Sequence, residues 1–124
     1  MPIEIFEGGQ GDEAWFRNRA GLPTASMFGT VLAKGKGGGP SKGRADYMHR
    51  LAQEVITGRP HVPTFSNVHT ERGHAHEDRA REVYCYIKGI EVRRVSFVRN
   101  GNVGCSPDSL IGDDGGLEVK APTE

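Results

Sequence analysis

Asp108, Glu118 and Lys120 are the residues whose types and spacing could do chemistry in this chain. Along an extended strand, successive side chains point to opposite faces. Glu118 and Lys120, two apart, therefore share one face, and Leu117 and Val119 take the other. Asp108 is expected to end the preceding strand, one turn away. Antiparallel neighbours lie about 4.8 Å apart, so its carboxylate can approach that of Glu118. Two converging carboxylates offer the hard oxygen donors that Mg2+ prefers, with Mn2+ able to substitute, and leave positions for water and phosphate oxygens. Such an ion lowers the pKa of a bound water and offsets charge at a scissile phosphate. Lys120 beside it would orient or help deprotonate the attacking water and stabilise the developing negative charge. A lone Glu-x-Lys pair is usually a solvated charge pair, and Pro-Asp is usually a turn. What points to metal-assisted phosphodiester hydrolysis is their conjunction, with glycine-rich turn residues between them.

These residues need elements to position them. Residues 1–11 read as a short extended start and a glycine turn. Asp12 can cap a helix running to about Arg19, with Trp15 and Phe16 facing inward. Thr24 can cap a second helix over 25–33. Residues 34–40, Lys-Gly-Lys-Gly-Gly-Gly-Pro, have the composition of a flexible loop. Ser41 opens a stronger helix to about Thr57, whose apolar face is Met48, Leu51, Ala52 and Val55 at i, i+3, i+4 and i+7. Gly58 ends it, and 59–67 is a loop with Pro60 and Pro63. A long helix is expected over about 68–87, striped by Ala80, Val83, Tyr84 and Ile87 and stopped by Gly89. Glu77 falls on that same face. An inward carboxylate is costly unless something pairs with it, so Glu77 is a candidate further metal ligand, directly or through water.

The remainder reads as strands: Ile90 to Val98, a hairpin turn at Asn100 to Asn102, a return over Val103 to Ser106, a turn at Asp113 to Gly116, and a last strand over Leu117 to Ala121. Helices followed by an antiparallel meander make an α+β fold.

Composition narrows the alternatives. With 124 residues, one small domain is expected. Only 35% of residues are hydrophobic and 18 are glycine, so the core must be thin. Basic and acidic residues number 16 each, a balance that leaves nucleic acid open because a carboxylate site cancels basic residues elsewhere. The N-terminus lacks the basic and apolar regions of a signal peptide, and no stretch approaches the roughly 20 apolar residues of a membrane span. Cys85 and Cys105 make no CxxC pair, and a cytoplasmic protein with free thiols is expected. His74 and His76 are two apart and diverge on a helix, and His69 and His76 are two turns apart, so zinc is not expected. Trp15 is assigned to the core, and no partner marks Cys105 as a nucleophile. Lys34, Lys36, Lys42 and Arg44 are candidates for a DNA backbone contact, with a merely solvated loop the equal alternative.

Four blocks, in order and spacing, resemble the phage lambda exonuclease and YqaJ-like viral recombinase family of PD-(D/E)XK nucleases. They are Ala14 to Ser26, Leu51 to Gly58, Arg72 to Tyr84, and the Cys105-to-Asp108 segment with Leu117 to Pro122. The resemblance implies a restriction-endonuclease-like core, with N-terminal helices packed on a small, mainly antiparallel sheet. It implies Mg2+-dependent 5′-to-3′ digestion of double-stranded DNA ends in recombination. Asp108, Glu118 and Lys120 would be the catalytic trio, and Glu77, Asp108 and Glu118 the metal ligands. Arg19 would hold the substrate's 5′-phosphate, with the Ser26 hydroxyl beside it. A ring-shaped homotrimer and a single-strand annealing partner are implied as well. Family members continue past the last catalytic strand, so 1–124 is expected to be a truncated nuclease domain. A restriction-like or structure-specific endonuclease, and a non-catalytic DNA-end-binding module, are the alternatives.

Overall fold

The computed structural model describes residues 2–61 and 68–122, apart from the side chains of 68–73. The elements are β1 (Ile3–Phe6), α1 (Glu13–Arg19), a 3-10 turn (Ala25–Met27), α2 (Phe28–Leu32), α3 (Lys42–Thr57), α4 (Val68–Lys88), β2 (Phe97–Asn100), β3 (Val103–Cys105), β4 (Ser109–Ile111) and β5 (Gly115–Leu117). This is the expected α+β content. It divides into two compact units, residues 1–62 with 95–106, and 63–94 with 107–124.

The first unit holds a three-stranded antiparallel sheet in the order β1-β2-β3. The N-terminal segment, expected only as an extended start, pairs along β2 from Ile3 with Asn100 to Phe6 with Phe97. The 100–102 hairpin forms, with Gly101 at φ 63° and Asn100 opposite Val103. The expected strand from Ile90 to Val98 is shorter: regular pairing begins at Phe97, where β2 gains partners on both edges. Phe97 is fully buried, with Leu22, Tyr47 and Val95 around the same core. A Cβ at Gly104 would lie 2.1 Å from Phe97 Cζ, so the β3 backbone can sit on that ring only as glycine.

The helix caps follow the chemistry of their side chains. Asp12 Oδ1 accepts from Trp15 N at 2.8 Å, and Ser41 Oγ from Arg44 N at 3.2 Å. Thr24 does not cap as expected. Its backbone N–H donates to Tyr47 Oη at 3.1 Å, its Oγ1 faces Arg19, and the segment after it opens as a 3-10 turn before α2. Gly58 ends α3 in the left-handed region at φ 67°, its N–H donating to Glu54 O at 3.0 Å.

The inward face of α3 is rotated by one residue from the expected stripe. Met48 and Val55 are exposed, and the protected set is Tyr47, Arg50, Leu51 and Glu54, again at i, i+3, i+4 and i+7. Tyr47 and Glu54 go inside because they find partners there: Glu54 Oε1 accepts from Gly21 N, and Oε2 from His61 N at 2.9 Å. The loop 34–40, expected to be flexible, is closed by hydrogen bonds. Ser41 N donates to Ala33 O at 3.2 Å, Lys34 bridges Pro40, and Gly35 N donates to Gly39 O at 2.7 Å.

The second unit holds α4 and the β4–β5 hairpin. Gly89 closes α4 at φ 64°, with Ile90 N donating to Cys85 O. Here too the face is rotated. Val83 and Ile87 of the expected stripe are exposed, as is Ala80, and the protected residues are Glu77, Arg81, Tyr84 and Cys85. Arg93 and Leu110 exchange two 2.8 Å backbone hydrogen bonds, tying the segment after α4 to β4. The expected last strand moves earlier: β5 is Gly115–Leu117, paired with β4 from Ser109 with Leu117 to Ile111 with Gly115. Glu118 to Ala121 lie beyond it, and Pro63 falls outside the described residues.

Candidate active site

Asp108 lies one residue before the Ser109–Leu117 pair, and Glu118 one residue after it, so the two acids occupy facing positions at one end of the β4–β5 ladder. Asp108 Oδ2 accepts from Val119 N at 2.6 Å, which fixes that carboxylate against the other chain. Past the ladder the alternation persists. Leu117 and Val119 are half-buried, whereas Glu118 and Lys120 are exposed on the other side. Lys120 Nζ pairs with Glu118 Oε1. That hydrogen bond, then the charge of Glu118 and lastly that of Asp108, hold the Lys120 ammonium above its ordinary pKa.

Glu77 projects from the inward face of α4, where its Oε1 accepts from Arg81 Nη2 at 2.7 Å. Arg81, 7% exposed, is the buried group of this corner. Its Nη1 donates to Asp78 Oδ1 at 2.9 Å, its Nε to Ser109 Oγ at 2.8 Å, and Nη2 also reaches the Asp108 carbonyl at 3.3 Å. Ser109 Oγ donates to that same carbonyl at 2.6 Å. Asp78 is shared with Arg94 at 3.4 Å.

In kind, these donors fit Mg2+, an ion commonly held by one or two carboxylates together with water and substrate phosphate oxygens. In position, Asp108 and Glu118 form the facing pair, and Glu77 is engaged by the Arg81 guanidinium. Among the described residues, no three of His, Cys, Asp and Glu gather in a geometry to hold one metal ion. A divalent ion would therefore take its protein ligands from Asp108 and Glu118, with Lys120 beside them.

The first unit carries the second candidate group. Arg19, the last residue of α1, stacks its guanidinium over Trp15, 3.9 Å from the ring centroid. Trp15 packs edge-on against Phe16 and donates Nε1–H to Ser106 Oγ at 2.9 Å, so it serves as a fixed wall. Arg19 Nη2 reaches Thr24 Oγ1 at 3.5 Å, while its Nε is buried without a hydrogen-bond partner. Burial chiefly, and then Arg50, pull its pKa down, against Tyr47 and Glu54, which raise it. A guanidinium is a strong base that keeps its charge in proteins, and its planar fork suits a phosphate. Ser26 is exposed on the 3-10 turn. Lys34, Lys36, Lys42 and Arg44 are all exposed on the clasped loop and the first turn of α3. His74 and His76 are exposed, and the side chain of His69 is outside the described residues. Cys85 and Cys105 are free thiols, and burial pushes that of Cys105 up.

Sequence reasoning missed Arg81 and Arg50. Arg81 stands four residues after Glu77, the spacing at which a helix brings opposite charges together, and that was the signal available.

The chain matches the YqaJ-like viral recombinase domain over residues 14–124. Among solved structures it is similar to LHK-Exo in complex with dAMP, at 33% identity and a TM-score of 0.72, over 90% of this chain and 54% of that one. It is also similar to the alkaline exonuclease LHK-Exo from Laribacter hongkongensis, at 32% identity and a TM-score of 0.70, with the same coverage. The chain thus spans about half the length of these neighbours, 54%. No curated protein matches it. No helix among the described residues is long and apolar enough to cross a membrane.

Proposed function

This chain belongs to the YqaJ-like viral recombinase family, and from that premise we propose that it is a Mg2+-dependent deoxyribonuclease that degrades double-stranded DNA from its ends, 5′ to 3′, in phage-type recombination. The observation that carries this is the placement of Asp108 and Glu118 at facing positions just beyond one end of the β4–β5 ladder, with Lys120 paired to Glu118. The likeness to an alkaline exonuclease at 32% identity supports it.

When bound, the metal would supply an activated water and neutralise phosphate charge. Asp108, fixed by the Val119 amide, presents its carboxylate in one orientation. Glu118 supplies the second carboxylate and holds Lys120 as a cation. As a cation, Lys120 is suited to orient the attacking water and to stabilise charge growing on the phosphate. Arg19, braced on Trp15, supplies a charged fork for the terminal 5′-phosphate, with Ser26 close by in sequence. A homotrimer and a single-strand annealing protein as partner complete this reading.

Linear duplex with 5′-phosphates should release nucleotides in Mg2+, and EDTA should stop the release. Asp108→Ala and Lys120→Ala should each slow it by about a thousandfold while circular dichroism stays unchanged. Undiminished digestion by both variants refutes the site. Cleavage of closed circular DNA would identify an endonuclease instead, and binding to DNA ends with no product a non-catalytic module.

A further inference from the structure

We propose that Arg81 is the positioning residue of the metal site, setting Asp108 through one buried guanidinium that Glu77 and Asp78 neutralise. This role presupposes the metal-dependent site proposed above.

An arginine 7% exposed is costly to keep unless its charge and its N–H groups are matched. Arg81 is matched on every side that faces the hairpin. Two carboxylates of its own helix, Glu77 and Asp78, balance its charge. Its Nε and one Nη2 hydrogen leave the helix for the start of β4, where they meet Ser109 Oγ and the Asp108 carbonyl. That carbonyl takes a second donor from Ser109 Oγ, so the peptide plane from which the Asp108 side chain springs is held by two hydrogen bonds. The carboxylate is held at its far end by Val119 N. Asp108 therefore has little rotational freedom left, and what restricts it on the helix side is Arg81. The same Nη2 holds Glu77 Oε1, so one planar group sets the spacing between α4 and Asp108.

Arginine suits this work better than lysine. Its fork is rigid, it stays charged, and it donates in several directions at once. Outer groups that orient a metal's ligands commonly change metal affinity by 10- to 100-fold when removed. A positive charge near a cation site also repels the cation, so the two possible roles of Arg81 predict opposite signs.

Arg81→Lys separates them, because it keeps the charge and loses the fork. Mn2+ binding is read from the electron paramagnetic resonance signal of the free ion, which needs no turnover, alongside thermal melting. The parent chain should bind Mn2+, Asp108→Asn should not, and Arg81→Lys should bind about tenfold more weakly while still folded at the assay temperature. In the nuclease assay, the Mg2+ concentration for half-maximal rate should rise by the same factor, with the KM for DNA unchanged. If Arg81→Lys fails to fold, Ser109→Ala takes its place and should weaken Mn2+ binding about threefold. Mn2+ affinity equal to or tighter than the parent's in the folded variant overturns the positioning role alone. No Mn2+ uptake by the parent overturns the metal site and this role together.

Discussion

The two units keep opposite kinds of residue inside. In the unit built on β2 the buried side chains are chiefly Phe97, Val95, Leu22 and Tyr47, with the Phe97 ring against Gly104. Between α4 and β4, the buried side chains among the described residues are Arg81 and Ser109, a charge and a hydroxyl. Apolar burial is non-directional and scales with area, so it builds a base and tolerates small adjustments. A guanidinium satisfied by named acceptors works only in one geometry. The unit that holds the candidate carboxylates uses the directional material, and the unit with the candidate phosphate reader uses a packed base with one arginine braced on it.

That contrast can be broken experimentally. Phe97→Ala should be the most damaging change, costing roughly 4 kcal/mol by denaturant unfolding. Native-state hydrogen exchange should show the loss in the β1–β2–β3 amides first, with α4 and β4 protected longer. Equal opening of both sets at once would mean one cooperative block and end the distinction. Ser109→Ala removes the acceptor of Arg81 Nε and should cost about 2 kcal/mol, with its exchange signature in α4 and β4. A cost below a few tenths would make the arginine cluster passive filling. Arg19→Ala should have the smallest effect, a loss of about tenfold in preference for 5′-phosphorylated over 5′-hydroxyl ends, or about 1.4 kcal/mol. Equal rates on both ends in the parent would remove Arg19 from the reading of DNA ends.

Caps, stops and turns were legible in the sequence because each is decided by one or two residues. Asp12, Ser41, Gly58 and Gly89 act where their chemistry predicts. So was the shared face of Glu118 and Lys120, because a period of two survives even where the strand ends, whereas Asp108, expected to end a strand, stands just before the start of β4. The inward faces of α3 and α4 were misplaced by one residue for a shared reason. Ranking by hydrophobicity chose Met48 and Val83, whereas tyrosine, arginine and glutamate with waiting partners took the inside. Such partners lie far along the chain, Arg81 to Ser109 or Tyr47 to Thr24, and no local pattern announces them. The extended start at β1 was legible, but its pairing was not, for a similar reason: it joins β1 to β2 across most of the chain.

The closed glycine loop has a practical meaning. The Ala33 carbonyl and the Ser41 amide hold its two ends at hydrogen-bond distance, and at Gly37, Gly38 and Gly39 an added side chain would meet nothing within 4 Å. The tip is thus a splice point: extra chain inserted there starts and finishes at the same clasp. Doubling the loop costs only about 0.6 kcal/mol. An affinity tag or a fluorescent peptide can be carried at this tip with α2 and α3 left in register.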